Sequence, residues 1–142
     1  MTTSADDDAR PAGDAASPSA DPAGPAALAG ALPWPTASYR GVPGHAPIAL
    51  WAVPVADLGG VARHVLDVAA AGLPRTRLVV LCPEGPLVER LRELAVPVLV
   101  ETFGPDAGLA ASVSALRHAV RTLRPAVLHT HLAYADIAAT VA

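Results

Sequence analysis

Along residues 48–142, continuous apolar runs alternate with stretches in which apolar residues recur at the spacing of an α-helix. Four apolar runs are flanked by proline, glycine or charged residues, which is typical of β-strands. These runs cover residues 48–53, 77–82, 96–100 and 127–129. The intervening stretches predict helices at about 61–71, from 87 onward and over 109–123. Pro97 marks the third strand as an edge, because proline cannot donate to a sheet ladder. A fourth helix is expected to start at Tyr134 or Asp136. The alternation predicts an α/β fold with a doubly wound parallel sheet.

Residues 1–47 have a different composition from the rest of the chain. They hold eight prolines, thirteen alanines and five aspartates, with only Arg10 and Arg40 as cations. Such a stretch buries too little apolar surface to offset the entropy of ordering, so we predict a disordered tail. An ordered N-terminal subdomain is the alternative. The last predicted helix has no stop signal before Ala142, so we expect the domain at 48–142 to be incomplete at its C-terminal end.

The charge balance excludes several functional classes. Residues 48–142 carry eight acidic side chains and eight arginines, so there is no basic field to hold nucleic acid. Cys82 is the only cysteine, which excludes an internal disulfide and favours a buried thiol in a cytoplasmic protein. The acidic N-terminus lacks the features of a secretory signal. No apolar stretch reaches the roughly 18–20 residues needed to cross a bilayer, and attachment to a membrane surface stays open.

Gly59 and Gly60 stand between the first strand and the first helix. Two glycines allow backbone conformations closed to other residues and let a ligand approach closely. The free amides at a helix start suit a phosphate. The dinucleotide fingerprint G-x-G-x-x-G is absent, which disfavours an NAD-dependent enzyme, and no Lys-Ser/Thr pair makes a phosphate loop. A plain strand-to-helix turn is the alternative. Glu84 falls in a tight Pro-Glu-Gly-Pro turn and is interpreted as structural.

His129 and His131 end the fourth strand. Residues two apart in an extended chain point the same way, so both imidazoles could meet one ligand. Alternatively, His129 is buried against the sheet and His131 merely ends the strand. No metal is expected, because zinc normally takes three or four ligands and the sequence offers no partners at ligand spacing. This loop and the Gly59–Gly60 loop both leave carboxyl ends of parallel strands, so we expect them to face each other.

Three segments resemble glycosyltransferase family four. Residues 58–67, LGGVARHVLD, resemble its "GGV.RHV.DL" entry to the first helix, and residues 80–87, VLCPEGPL, resemble its second strand and turn. Residues 124–131, RPAVLHTH, are similar to its "RPDVVHTH" segment, with Ala126 where an aspartate is usual.

The resemblance implies a retaining glycosyltransferase of the GT-B fold, in which two Rossmann-like domains face each other across a cleft. This chain would be the N-terminal, acceptor-side domain, inactive without a donor-binding domain in cis or in trans. Gly59 and Gly60 would bind the diphosphate of a nucleotide-sugar donor, and His131 would be the catalytic residue. Arg63, His64 and His129 are expected acceptor contacts, and no cofactor beyond the co-substrate is implied. The alternative is a non-catalytic Rossmann-like module that binds an anionic ligand or a partner chain.

Overall fold

The structure, a computed structural model, describes residues 44–142. The prediction of a disordered tail therefore falls almost wholly outside the described residues. The strands are β1 (Ile48–Ala52), β2 (Arg77–Cys82), β3 (Val98–Val100) and β4 (Val127–Thr130). The helices are α1 (Gly60–Ala71), α2 (Pro86–Glu93), α3 (Leu109–Leu123) and α4 (Leu132–Val141), with a 3₁₀ turn at Pro105–Ala107.

The four strands form one parallel sheet in the order β3-β2-β1-β4. Helices cover both faces, so the predicted doubly wound, Rossmann-like α/β fold is confirmed. β3 lies at an edge, as Pro97 predicted. Although Pro97 cannot donate, its carbonyl accepts a hydrogen bond from the Val80 amide at 3.0 Å.

Alternate residues of the central strands enter two separate cores. Trp51 and its neighbours on one face pack against α1 and α2, while Leu50 and Ala52 on the other face pack against α3 and α4. β2 is buried on both faces, which explains its unbroken apolar sequence. It ends at Cys82, whose thiol is buried as predicted; burial, and then the charge of Glu84, raise its pKa to about 12.

Two boundaries differ from the sequence prediction by two residues or more, while β1 ends one residue earlier and β4 one residue later than predicted. The third strand is shorter than 96–100, because the Val96 amide donates to the Leu91 carbonyl at 2.9 Å and so closes the end of α2. The last helix starts at Leu132 rather than at Tyr134 or Asp136. There the backbone turns abruptly out of β4 through a positive φ of 67° at Leu132. None of the helices described in 44–142 is long and apolar enough to cross a membrane.

Candidate functional site

The candidate site lies where the order of the strands reverses. The chain runs from β1 outward through β2 and β3, then returns to place β4 on the other side of β1. The connections after β1 and β4 therefore leave toward opposite faces of the sheet, which opens a crevice between them. The His131 amide donates to the Ala52 carbonyl at 3.0 Å and joins the two strand ends. The Gly59–Gly60 and His131 loops thus follow adjacent strands.

Backbone N–H groups are free at the start of α1. Gly59 caps the helix without a side-chain hydrogen bond, and the first turn holds no acidic residue. Within the described residues, the amides of Gly60, Val61 and Ala62 have no protein acceptor, whereas the Arg63 amide donates to the Gly59 carbonyl. The helix dipole adds partial positive charge at this end. The arrangement suits an anion.

The two glycines of this turn are not required by the backbone. Gly59 has a φ of −103°, and neither glycine adopts a positive φ, so the conformational argument made from the sequence does not apply. A Cβ built at Gly59 or Gly60 would meet no atom within 4 Å. What these glycines provide is a bare surface in front of free amides.

Neighbouring loops hold the turn after β1 in place. Gly104 packs so closely on the Pro54 carbonyl that a Cβ there would overlap its oxygen, and a Cβ at Gly85 would lie 2.7 Å from that of Ala56. The Leu87 amide, at the start of α2, donates to the Ala56 carbonyl at 2.9 Å. Contacts from the β2 and β3 loops therefore fix the approach to α1.

His131 is the one buried imidazole of the site. It is 9% exposed, and its Nε2 has no hydrogen-bond partner among residues 44–142. Its pKa is lowered from 6.5 to about 4, mainly by burial and then by the nearby imidazoles of His129 and His64. His131 is therefore neutral at pH 7, with one ring N–H and one free lone pair.

The rings of four residues form a cluster: Trp51, His64, His129 and His131. Trp51 lies at its centre, with ring centroids 4.8 Å from His129, 4.9 Å from His131 and 5.9 Å from His64, which stacks at 15°. His131 lies 4.7 Å from His129 and 5.8 Å from His64. Sequence reasoning missed Trp51, although it pairs with His129 in the ladder and shares its face of the sheet. Packing against rings holds His131 in place.

The burial of the two histidines at the end of β4 is the reverse of the alternative considered from the sequence, in which His129 is buried and His131 merely ends the strand. His129 is exposed and His131 is buried. β4 is an edge strand, and α1 and α2 pack over β1 and β2 on the His129 side, so Val127 there is 55% exposed. His131 lies beyond the strand end, where the second turn of α1 reaches its ring. Both imidazoles still point the same way, as predicted.

The expected acceptor contacts divide between two regions. His64 and His129 join the ring cluster, whereas Arg63 lines a groove that begins at Gly59 and also includes Leu58, Asp67 and Arg90. A cleft of about 840 Å³ opens along the carboxyl ends of β1, β2 and β3. Its lining includes four carboxylates, none in an ion pair within the described residues: Asp57, Glu84, Glu101 and Asp106.

Among residues 44–142, no three His, Cys, Asp or Glu side chains are grouped so that they could hold a metal ion. What the site offers is free backbone amides and the neutral His131 imidazole near the positive end of a helix. Comparison with protein-family models, with curated proteins and with solved structures gives no match to this chain.

Proposed function

We propose that residues 48–142 are the acceptor-side domain of a cytoplasmic, retaining glycosyltransferase that transfers a sugar from a nucleotide-sugar donor. The observation that carries this proposal is that α1, whose first amides are free, brings His64 of its second turn to 5.8 Å from the buried His131 at the β1–β4 reversal. The resemblance of residues 58–67 and 124–131 to glycosyltransferase family four adds support from the sequence.

In this proposal the free amides from Gly60 to Ala62 bind the donor diphosphate, whereas the Gly59 amide, expected from the sequence to bind it as well, donates instead to the Asp57 carbonyl at 2.8 Å. Negative charge builds up on the diphosphate as its bond to the sugar breaks. The free N–H groups and the positive end of the α1 dipole would stabilise that charge in the transition state. A side chain at either glycine would project into open space at this turn, and we expect it to hinder the approach of the anion.

His131 would act as a neutral hydrogen-bonding group toward the donor sugar. Its low pKa keeps the imidazole uncharged across the neutral range, so it orients hydroxyl groups rather than neutralising the diphosphate. No protein nucleophile is assigned. A donor-binding domain, in cis or in trans, would supply the remaining contacts to the nucleotide. An intact mass of the native protein near 14.3 kDa would indicate a partner in trans, and a larger mass would indicate a domain in cis.

The binding half of this proposal can be tested on the 142-residue chain. We expect UDP, GDP or ADP to shift the amide NMR resonances of Gly59 and Gly60. Gly60→Ala should weaken this binding. The variant should stay folded, because the added Cβ meets no atom. The start of α3 at Leu109 and Ala110, also without a side-chain cap, is the internal control. Equal shifts there, or unchanged affinity in Gly60→Ala, would refute the phosphate site.

The catalytic half is tested on the protein that contains its donor-binding domain. His131→Ala should lower the release of nucleoside diphosphate from a nucleotide-sugar by about 10²-fold or more, as for other lost transition-state hydrogen bonds. His118→Ala is the matched control, since His118 is exposed on α3. Unchanged turnover in a folded His131→Ala protein contradicts the catalytic role.

A second candidate is a non-catalytic module that binds a partner chain. The observation that favours it is the open side of β4, which pairs with no further strand of the described part of the chain. Apolar side chains are exposed on β4 and α4: Val127, Leu128, Leu132, Ile137 and Val141. This candidate predicts a stable complex that buries these residues and no nucleotide-sugar turnover. Light scattering on the native protein, with Ile137→Glu as the variant, distinguishes it from the enzyme.

A further inference from the structure

Leu132 holds a strained backbone conformation directly after His131. Its φ of 67° lies in the left-handed region, which is unfavourable for a residue with a bulky side chain. Leu132 is 48% exposed, so burial of its own side chain does not offset this strain. Contacts of neighbouring residues therefore hold the turn that follows His131, which we call the Leu132 turn.

Tyr134 joins the first turn of α4 to a buried hydroxyl group. Its hydroxyl oxygen lies 3.1 Å from the Oγ of Ser112, a buried residue of α3. The Ser112 hydroxyl donates to the Gly108 carbonyl at 2.9 Å and accepts from the Gly104 amide at 3.0 Å. Because the single hydroxyl proton of Ser112 is used in this way, the Tyr134 hydroxyl is the donor to Ser112. The start of α4 is thereby fixed to the β3–α3 loop.

A second hydrogen bond closes the other side of the Leu132 turn. The hydroxyl of Thr130, the last residue of β4, donates to Oδ1 of Asp136 in the second turn of α4. This bond runs from the strand to the helix across the strained residue. We call the two hydrogen bonds, Tyr134–Ser112 and Thr130–Asp136, the α4 clamp.

We propose that the α4 clamp positions His131 by holding the Leu132 turn in its strained conformation. The Nε2 of His131 has no hydrogen-bond partner among residues 44–142, so no bond from this atom fixes the ring. The position of the ring against Trp51 therefore depends on the backbone of the turn. Tyr134 and Asp136 act through that backbone and are positioning residues. The inference rests on the proposed function for what His131 does, whereas the clamp follows from the contacts of the chain.

Loss of one clamp bond should let the Leu132 turn open locally. A neutral hydrogen bond corresponds to about a two- to tenfold change in an opening equilibrium. The His131 amide, which donates to the Ala52 carbonyl at 3.0 Å, reports on this opening through its exchange with solvent deuterium. The Val53 amide donates to the Leu81 carbonyl at 2.8 Å on the other side of β1 and reports on the rest of the sheet.

Amide exchange is followed by NMR on the 142-residue chain at pH 7. Tyr134→Phe and Thr130→Val each remove one clamp hydroxyl and keep the shape of the side chain. Both should raise the exchange rate of the His131 amide about two- to tenfold and leave that of the Val53 amide unchanged. Thr140→Val is the matched control, because it removes a hydroxyl of α4 that bonds only within the helix, and both rates should stay as in the wild type.

Two results would overturn the positioning role. Equal acceleration of the His131 and Val53 amides would mean that the clamp only stabilises the domain as a whole. An unchanged His131 rate in both clamp variants would mean that the packing of α4 on α3 holds the turn by itself.

A double variant tests the link between clamp and strain. Glycine adopts a positive φ without strain, so Tyr134→Phe should accelerate exchange of the His131 amide less in a Leu132→Gly background than in the wild type. An undiminished effect would contradict this link. The exchange measurements use no nucleotide, so their failure is distinct from failure of the proposed function, which the turnover of His131→Ala tests.

Discussion

Protonation of His131 should destabilise the fold as the pH falls. The folded protein holds this imidazole 9% exposed, with an unpartnered Nε2 and two other histidines next to it. Its pKa is about 4 in the fold against 6.5 in the unfolded chain. Between these values the unfolded chain binds the proton and the folded chain does not.

The sign and size of the effect follow from this difference. The unfolded state binds more protons between pH 6.5 and 4, so stability is greatest above pH 6.5 and declines down to pH 4. Converted at 1.36 kcal/mol per pH unit, the difference gives about 3 kcal/mol at the most. For a domain of this size that upper limit corresponds to a fall in Tm of at most about 12–24 °C.

Urea unfolding of the wild type and of His131→Phe between pH 7.5 and 4 measures this contribution. Phenylalanine keeps a ring against Trp51 and loses no hydrogen bond, because Nε2 has none. The variant should match or exceed the wild type at pH 7 and be about 3 kcal/mol less sensitive to acid. Carboxylates titrate in both proteins and cancel in the comparison, while His118→Phe controls for the loss of any histidine.

Parallel stability curves for the wild type and His131→Phe from pH 7 to pH 4.5 would refute this reasoning. They would mean that the buried ring accepts a proton as readily as it does in the unfolded chain. The neutral role assigned to His131 in the proposed site would then lose its basis.

Three further predictions concern the backbone around the site. Gly104→Ala should lower the free energy of unfolding by more than about 1 kcal/mol, because the added Cβ overlaps the Pro54 oxygen at a φ of 120°. Gly60→Ala should instead raise the free energy of unfolding by about 0.5–1 kcal/mol, because alanine is the better helix former. Thermal melts of both variants measure these two effects. Leu132→Gly should be more stable than Leu132→Ala by about 1 kcal/mol, because only glycine relieves the positive φ; the usual helical order, alanine above glycine, would contradict it. Ser112→Ala should cost about 1–3 kcal/mol in urea unfolding, since its buried hydroxyl accepts from the Gly104 amide at 3.0 Å, and a loss below about 0.5 kcal/mol would show that water replaces it.

The sequence was sufficient for most of the fold because its signals are local. The apolar run at residues 77–82 coincides with β2, and the apolar stripe between Leu109 and Leu123 coincides with α3. Gly72 follows α1 with the positive φ expected of a helix stop. The spacing of apolar residues and the glycine or proline at the end of an element act through neighbouring residues. They therefore predict these elements without tertiary context.

The site depends on contacts that sequence spacing does not contain. The burial of His131 and the exposure of His129 arise because β4 is an edge strand and because the second turn of α1 reaches the strand end. The role of Trp51 depends on ladder register between β1 and β4. The early start of α4 depends on a backbone conformation at Leu132 that leucine rarely adopts. The adjacency of the two loops was predictable, because parallel strands align their carboxyl ends.

The packing of Gly85 and Gly104 on the turn after β1 has a consequence for binding. Ala56 and Pro54 are immobilised when the chain folds, so the free amides that begin at Gly60 are already preorganised when a ligand arrives. The conformational entropy of this turn is lost at folding and not again on association. A ligand can therefore be held by few contacts, and a substitution in the β3–α3 loop can change its affinity without touching it.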